Sequence, residues 1–315
     1  MSRDCFDVVV PFLDRMAGTA IPYQILGGVS VLPFLAGSVE PAGRRVAGTG
    51  GLTLPTVREN GSRRDLDVLV LSTRSDPVDQ VRRIAAEAVG AELETSVFSL
   101  RPLEQLRDQR ERPVAATCRT FLGDRYAAED AAGRITRVYR ALFPFAVEVE
   151  TGSLETWHVE LGGTVMPVQR PGSLIAGYLT RSISGVRPKD LAKVDRLARA
   201  VQAVAPGEID WLTAGAGAPL LHLARVIHTL REPRAAHPVA IGPLVLSPYR
   251  RRELRELDAF LLRGAPAATR ELVLAASILK ARVLHRLEHS ERVVGLWQRR
   301  GLERVVSPIV LNEPS

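Results

Sequence analysis

The run Asp65-Leu66-Asp67-Val68-Leu69-Val70-Leu71 restricts what this chain can fold into more than any other stretch. Its apolar, partly β-branched body reads as a buried strand. Side chains alternate along a strand, so Asp65 and Asp67 share one face at its start. Two carboxylates held side by side repel, and Asp is a poor strand former. A hard divalent cation relieves that repulsion. Magnesium takes oxygen ligands, keeps several waters, and is commonly held by one or two carboxylates together with substrate phosphates. The plain alternative is a strand whose opening turns two solvated acids to water.

Upstream, Ile21-Pro22-Tyr23-Gln24-Ile25-Leu26 is a short β-leaning run that ends in Gly27-Gly28, and Val29 to Leu35 can start a helix. A strand, a Gly-Gly turn and a helix N-terminus let backbone N–H groups approach phosphate oxygens closely. Any tight turn explains Gly-Gly alone equally well. An apolar residue, Gly-Gly and a later Asp-apolar-Asp strand together resemble the signature of the DNA polymerase β-like nucleotidyltransferase fold. That resemblance implies a third acid on a neighbouring strand. Phe143 to Thr151 alternates as a strand does, with Phe145, Val147 and Val149 on one face and Glu148 and Glu150 on the other. Glu148 is the first choice, Glu150 the second, and Glu160 in Trp157-His158-Val159-Glu160-Leu161 a more distant one. The ordinary reading is a half-exposed strand with its acids toward water.

The stretch from Val29 to Arg64 is longer than the short helix the family places there. It carries Gly37, Gly43, Gly48, Gly50 and Gly51 with Arg44, Arg45, Arg58, Arg63 and Arg64. It reads as a loop or hairpin beside the site, either a lid over triphosphate or a simple insertion.

A second constellation is Arg187-Pro188-Lys189-Asp190-Leu191. Pro188 suits a first helical turn and Asp190 the positive end of the helix dipole. Arg187 and Lys189 are not explained that way and ask for an anion or for water. An Arg-x-Lys-Asp-apolar helix start resembles the Lys-Asp motif of AbiEii/MenT-type nucleotidyltransferases, toxin components of bacterial toxin–antitoxin and phage-defence systems; antibiotic nucleotidyltransferases carry a related helix. The resemblance spans Ile25 to Ala203 in three short pieces. Two departures stand out. Lys193 occupies the place of the family's second Asp, with Asp195 two residues later. Leu174 to Arg181 offers only Arg181 where the family has a lysine.

The resemblance implies an α+β chain: a nucleotidyltransferase-type mixed sheet with flanking helices over residues 1–171, then a mostly helical domain over 172–315. Gly27, Gly28 and Ser30 would surround triphosphate, with Arg63, Arg64 and Asp190 as further binding residues. Asp65, Asp67 and Glu148 would hold Mg²⁺, Glu148 also lowering the pKa of the acceptor hydroxyl. Lys189, with Arg58, Arg63 or Arg64, would offset charge on the departing pyrophosphate. The implied reaction moves a nucleoside monophosphate from an NTP to an acceptor hydroxyl, the 3′ end of tRNA, as a toxin does, and a cognate antitoxin protein is expected. The alternatives are a catalytically altered nucleotide- or RNA-binding protein of the same fold, or an antibiotic nucleotidyltransferase.

The net charge of +7 fits a polyanionic partner such as RNA, while aromatic residues at 5% leave little material for base-stacking platforms. Cys5 and Cys118 are too few for a disulfide framework or a zinc ribbon. With no apolar run of membrane-spanning length and no secretory leader pattern, the expected compartment is the cytoplasm and no membrane partner is expected.

Periodicity predicts helices over Asp7–Met16, from Ser75-Asp76-Pro77 to Gly90, and repeatedly from Leu174 onward; Leu93–Leu100 predicts a strand. Tyr139–Glu150, Glu155–Leu161 and Thr164–Val168 are expected as strands of one mixed sheet. Gly215-Ala216-Gly217 reads as a turn. His285 and His289, four apart, could in spacing hold a metal but sit on a charged face. Arg250-Arg251-Arg252 reads as a solvated or RNA-facing helix start.

Overall fold

A computed structural model describes residues 3–48, 51, 53–107, 122–142, 145–161, 163–184, 190–231, 238–248 and 309–310. The arrangement is α+β, and the chain forms two compact units that interleave along the sequence. Unit 1 contains Met1–Leu100, Thr151–Ile175 and Arg196–Asp210, and unit 2 contains Arg101–Glu150, Ala176–Asp195 and Trp211–Ser315. The units do not follow the expected division into 1–171 and 172–315, since Arg101–Glu150 belongs to unit 2 and Arg196–Asp210 to unit 1.

Unit 1 begins with α1 (Cys5–Ala17). Asp4 caps it, its carboxylate accepting the Phe6 N–H at 2.8 Å. Apolar residues at helical spacing bury Phe6, Val9, Phe12, Leu13 and Met16, as the sequence pattern implies. Strand β1 (Tyr23–Leu26) runs directly into α2 (Gly27–Ala36). The long stretch before the Asp pair is in part a hairpin, β2 (Ser38–Glu40) with β3 (Arg45–Ala47). Strand β4 (Asp65–Val70) follows, then α3 (Ser75–Val89), then β5 (Glu94–Ser99), which lies parallel to β4. Helix α3 stops at Gly90, whose φ of +59° a side chain would strain. This β4–α3–β5 unit is a parallel crossover of ordinary kind.

Strands β10 (Thr156–Leu161) and β11 (Thr164–Gln169) return much later in the chain and complete the sheet. The order is β2-β3-β10-β11-β1-β4-β5, with β1 antiparallel to β4 and parallel to β11. Its centre is dry: Ile25, Leu66, Val68 and Val70 are fully buried. Gln24 is buried too, and its amide donates to the carbonyls of Leu154 and Glu155 and to Thr156 Oγ1. Phe34 of α2 meets Trp157 of β10 edge to face at 5.8 Å, fixing α2 against the sheet.

Unit 2 holds a second sheet. Strands β6 (Arg101–Pro102), β7 (Leu122–Glu129), β8 (Ile135–Leu142), β9 (Phe145–Val149) and β14 (Ile309–Val310) stand in the order β14-β9-β8-β7-β6. A short α4 (Glu104–Arg107) follows β6, and β12 (Val239–Ile241) pairs with β13 (Leu244–Leu246) as a hairpin. The other helices among the described residues are α5 (Pro171–Ser184), α6 (Leu191–Val204) and α7 (Pro206–Thr213), each divided between the two units, and α8 (Ala218–Arg231) in unit 2. The Gly215-Ala216-Gly217 segment is a turn after α7. It wraps Trp211 so closely that a Cβ on Gly217 would lie 2.6 Å from the indole.

One expectation is corrected here. The strands of 139–150 do not share a sheet with those of 155–168, since β8 and β9 belong to the five-stranded sheet and β10 and β11 to the seven-stranded one. Alternation fixes which face of a strand is buried; it carries no information on which strand lies alongside.

Candidate active site

The Asp pair and the Gly-Gly turn meet because β1 and β4 are antiparallel neighbours. Leu26, the last residue of β1, stands opposite Asp67. The chain then turns into α2 through Gly27 at φ +73°. A Cβ on Gly27 would lie 2.6 Å from Asp67 Oδ2, so only glycine lets this carboxylate rest against the first turn of α2. Leu26, in the N-cap position, makes no side-chain cap hydrogen bond, and the first-turn N–H groups of α2 carry the positive end of the helix dipole. Gly28 is exposed, with open space where its side chain would be. Asp65, two residues before Asp67 on the same half-buried face, accepts a hydrogen bond from Arg58 Nη2 at 2.7 Å. Leu66 and Val68 point the other way into the core.

Arg58 comes from a tight turn. Its N–H bonds the Ser62 carbonyl, Val57 bridges Arg63, and Gly61 supplies a φ of +79°. Its Nη1 donates to Ser62 Oγ at 3.2 Å and to the Arg63 carbonyl. The signal for this placement is Asn60-Gly61, a strong turn dipeptide that puts Arg58 and Ser62 across from each other.

The donor set suits a hard cation. Two carboxylates on one strand face, close to the start of α2 and to the open space over Gly28, provide oxygen ligands of the kind a divalent ion takes. Among the described residues no group of three His, Cys, Asp or Glu gathers as a metal cluster. Asp65 and Asp67 are the side chains that would hold such an ion.

Glu148 does not stand where the resemblance implies. It lies on β9, in the other sheet and the other unit, so it is not on a strand beside β4. It accepts both Arg137 Nε and Nη2 at 2.8 Å and the Tyr139 hydroxyl at 2.7 Å. The Arg137 hydrogen bonds, assisted by Tyr139 and opposed by partial burial, hold its carboxyl below the usual range. A carboxylate so held is a poor proton acceptor. Because its folded-state pKa lies below the unfolded one, its stabilisation is present above the unfolded value of about 4.3 and disappears as pH falls through the folded value. Glu148→Gln should therefore lower stability at pH 7 by about 1 kcal/mol and flatten the acid limb of the Tm–pH profile. Superimposable profiles from pH 3 to 7 would mean that the cluster adds nothing.

Glu150 accepts the Trp211 indole N–H at 2.8 Å within unit 2. Glu160, on β10, shares the sheet of the Asp pair but stands three strands from β4, exposed and 3.6 Å from Arg45. Ser30 also needs correction. It is fully buried and its hydroxyl donates to the Gly27 carbonyl at 2.9 Å, so it neither caps the helix nor faces a ligand. Leu26 holds the cap position. Arg64 Nε donates to the Pro55 carbonyl at 2.6 Å, which ties down the preceding segment, while Arg63 is exposed. Asp190, at the start of α6 in unit 2, is buried. One carboxylate oxygen lies 3.5 Å from Lys193 Nζ, and the other is buried with no hydrogen-bond partner among the described residues. Arg187, Lys189, Arg250–Arg252, His285 and His289 lie outside the described residues. No helix among the described residues is long and apolar enough to cross a membrane.

The sequence matches no protein-family model and no curated protein.

Proposed function

We propose that this chain is a Mg²⁺-dependent nucleotidyltransferase that moves a nucleoside monophosphate from an NTP to the hydroxyl at a tRNA 3′ end, in the cytoplasm and with toxin-like effect. The observation that carries the reading is the close approach of Asp67 to Gly27, where a Cβ would lie 2.6 Å from the carboxylate. It joins an anion-seeking helix start to a pair of cation-seeking carboxylates, the combination a metal-bound triphosphate needs.

The N–H groups at Gly27 and Gly28 would receive phosphate oxygens. Asp65 and Asp67 would hold Mg²⁺, which when bound draws charge from the triphosphate and favours departure of pyrophosphate. Arg58, aimed at the same face, would meet the charge that grows on the leaving group. The acceptor oxygen bonds to the α-phosphorus, the bond to pyrophosphate breaks, and the hydroxyl proton passes to water. Acceptor choice rests on the net charge of +7, which favours RNA over a cationic antibiotic. A toxin of this kind would have a cognate antitoxin protein.

Incubation with each α-labelled NTP and total cellular RNA should put label into RNA of tRNA size. Label in a small molecule only would make the antibiotic-modifying alternative the answer. A second reading, a nucleotide- or RNA-binding protein without catalysis, draws on the Asp65–Arg58 pair, which fills one metal ligand with a protein cation. That protein would bind RNA without Mg²⁺, lose affinity steeply with salt, and incorporate no label.

A further inference from the structure

We infer that Arg58 is a stand-in cation for the metal: it holds Asp65 until a divalent ion arrives, then transfers its guanidinium to the incoming triphosphate. The inference rests on the nucleotidyltransferase reading and goes beyond it, since it makes nucleotide and metal binding depend on each other. Three observations carry it. First, Arg58 Nη2 sits on Asp65 Oδ2 at 2.7 Å, taking a lone pair that a cation would need. Second, the other end of the guanidinium is anchored in its own turn by Ser62 Oγ and the Arg63 carbonyl, so losing Asp65 leaves it in place and still aimed at the site. Third, both partners are about one-third exposed, at 35% and 39%, so the pair is weak enough for a divalent ion to displace.

The geometry also gives the order of events. A lone divalent ion competes with Arg58 for Asp65 and binds weakly. A metal–triphosphate complex supplies both partners at once: the ion for Asp65 and phosphate oxygens for the released guanidinium, whose flat fork suits them. The site therefore resists free metal and accepts the loaded nucleotide, a thermodynamic coupling in which each ligand tightens the other.

The test is titration of the full chain with Mn²⁺ alone, read by electron paramagnetic resonance of the free ion. A second titration uses ATP, CTP, GTP and UTP in turn at fixed Mg²⁺, read by calorimetry. Arg58→Ala should bind Mn²⁺ alone about threefold to tenfold more tightly than wild type and bind the preferred triphosphate at least about tenfold more weakly. The opposite signs are what a merely structural residue would not produce. Arg58→Gln fills the same space and should repeat both shifts if the alanine variant folds poorly. Arg63→Ala removes an equal charge from an exposed neighbour and should change Mn²⁺ affinity by less than twofold. Unchanged or weaker Mn²⁺ binding in Arg58→Ala and Arg58→Gln, with binding that still depends on Asp67, would overturn the stand-in role and leave the nucleotidyltransferase reading intact. An equal gain from Arg63→Ala would do the same, by reducing the effect to net charge. If no variant binds Mn²⁺ through Asp67, with or without triphosphate, the proposed activity falls and the stand-in role falls with it.

Discussion

Asp67→Ala should lower nucleotide transfer by on the order of a thousandfold while leaving the protein folded. Asp67 is the carboxylate on which the site converges. It sits opposite Leu26 across the β1–β4 pair and occupies the space a side chain on Gly27 would fill. It is half-buried, so alanine removes a charge without opening a cavity in the dry core formed by Leu66 and Val68. The measurement is label transfer to RNA at saturating NTP and Mg²⁺, with a thermal melt to show that the sheet persists. Transfer at the wild-type rate would remove the assignment of this face as the active site. Toxicity follows the same logic: expression of wild type should slow growth and Asp65→Ala should not. Equal growth of the two would detach the chemistry from any toxin role.

Gly27→Ala should be the next most damaging change, and for two reasons that add. The residue stands at φ +73°, where an L side chain costs roughly 1–2 kcal/mol. The new methyl would also press on Asp67 Oδ2 at 2.6 Å, too close to remain, so the carboxylate must move. A displacement of about 1 Å at a reacting centre is worth on the order of a hundredfold in rate. A melt and a transfer assay together should show a modest loss of stability and a large loss of activity. Gly28→Ala is the stability control: its φ is not left-handed and a Cβ meets nothing within 4 Å, so the melting temperature should not fall. Equal melting and equal activity for wild type and Gly27→Ala would mean that the contact with Asp67 has no role.

Much of the local structure was legible in the residues. Helical periodicity and end signals located α1 and α3, and the apolar run after the Asp pair located β4. The nearness of Gly27 to Asp67 was implied by the family resemblance and not by residue spacing; the antiparallel pairing of β1 with β4 produces it. The missing third acid lay beyond reach. Glu148 alternates correctly along its strand, and its face is the one expected, yet β9 pairs with β8 in another sheet. Ser30 was misjudged because its position in the first turn is polar-compatible, whereas the fold turns it inward to bond the Gly27 carbonyl. For Glu148 the deciding partner is a strand that residue spacing does not identify, whereas Ser30 makes a local bond to the carbonyl three residues back. Arg58 was one arginine among several until the Asn60-Gly61 turn set its direction.

The lateness of β11 has a consequence for how the protein is made. Ile25 of β1 pairs with Val168, about 140 residues downstream, and β6 to β9 of the other sheet are synthesised in between. At roughly 5–20 residues per second on a ribosome, β1 waits on the order of ten seconds for its parallel neighbour. Strand β1, which leads into Gly27, and β4, which carries Asp67, are both made early and can pair then, while the flank of β1 that later receives β11 stays open to other strands. Slow elongation between residues 100 and 160 would lengthen that exposure, and yield of soluble protein should respond to codon choice there more than in the first hundred residues.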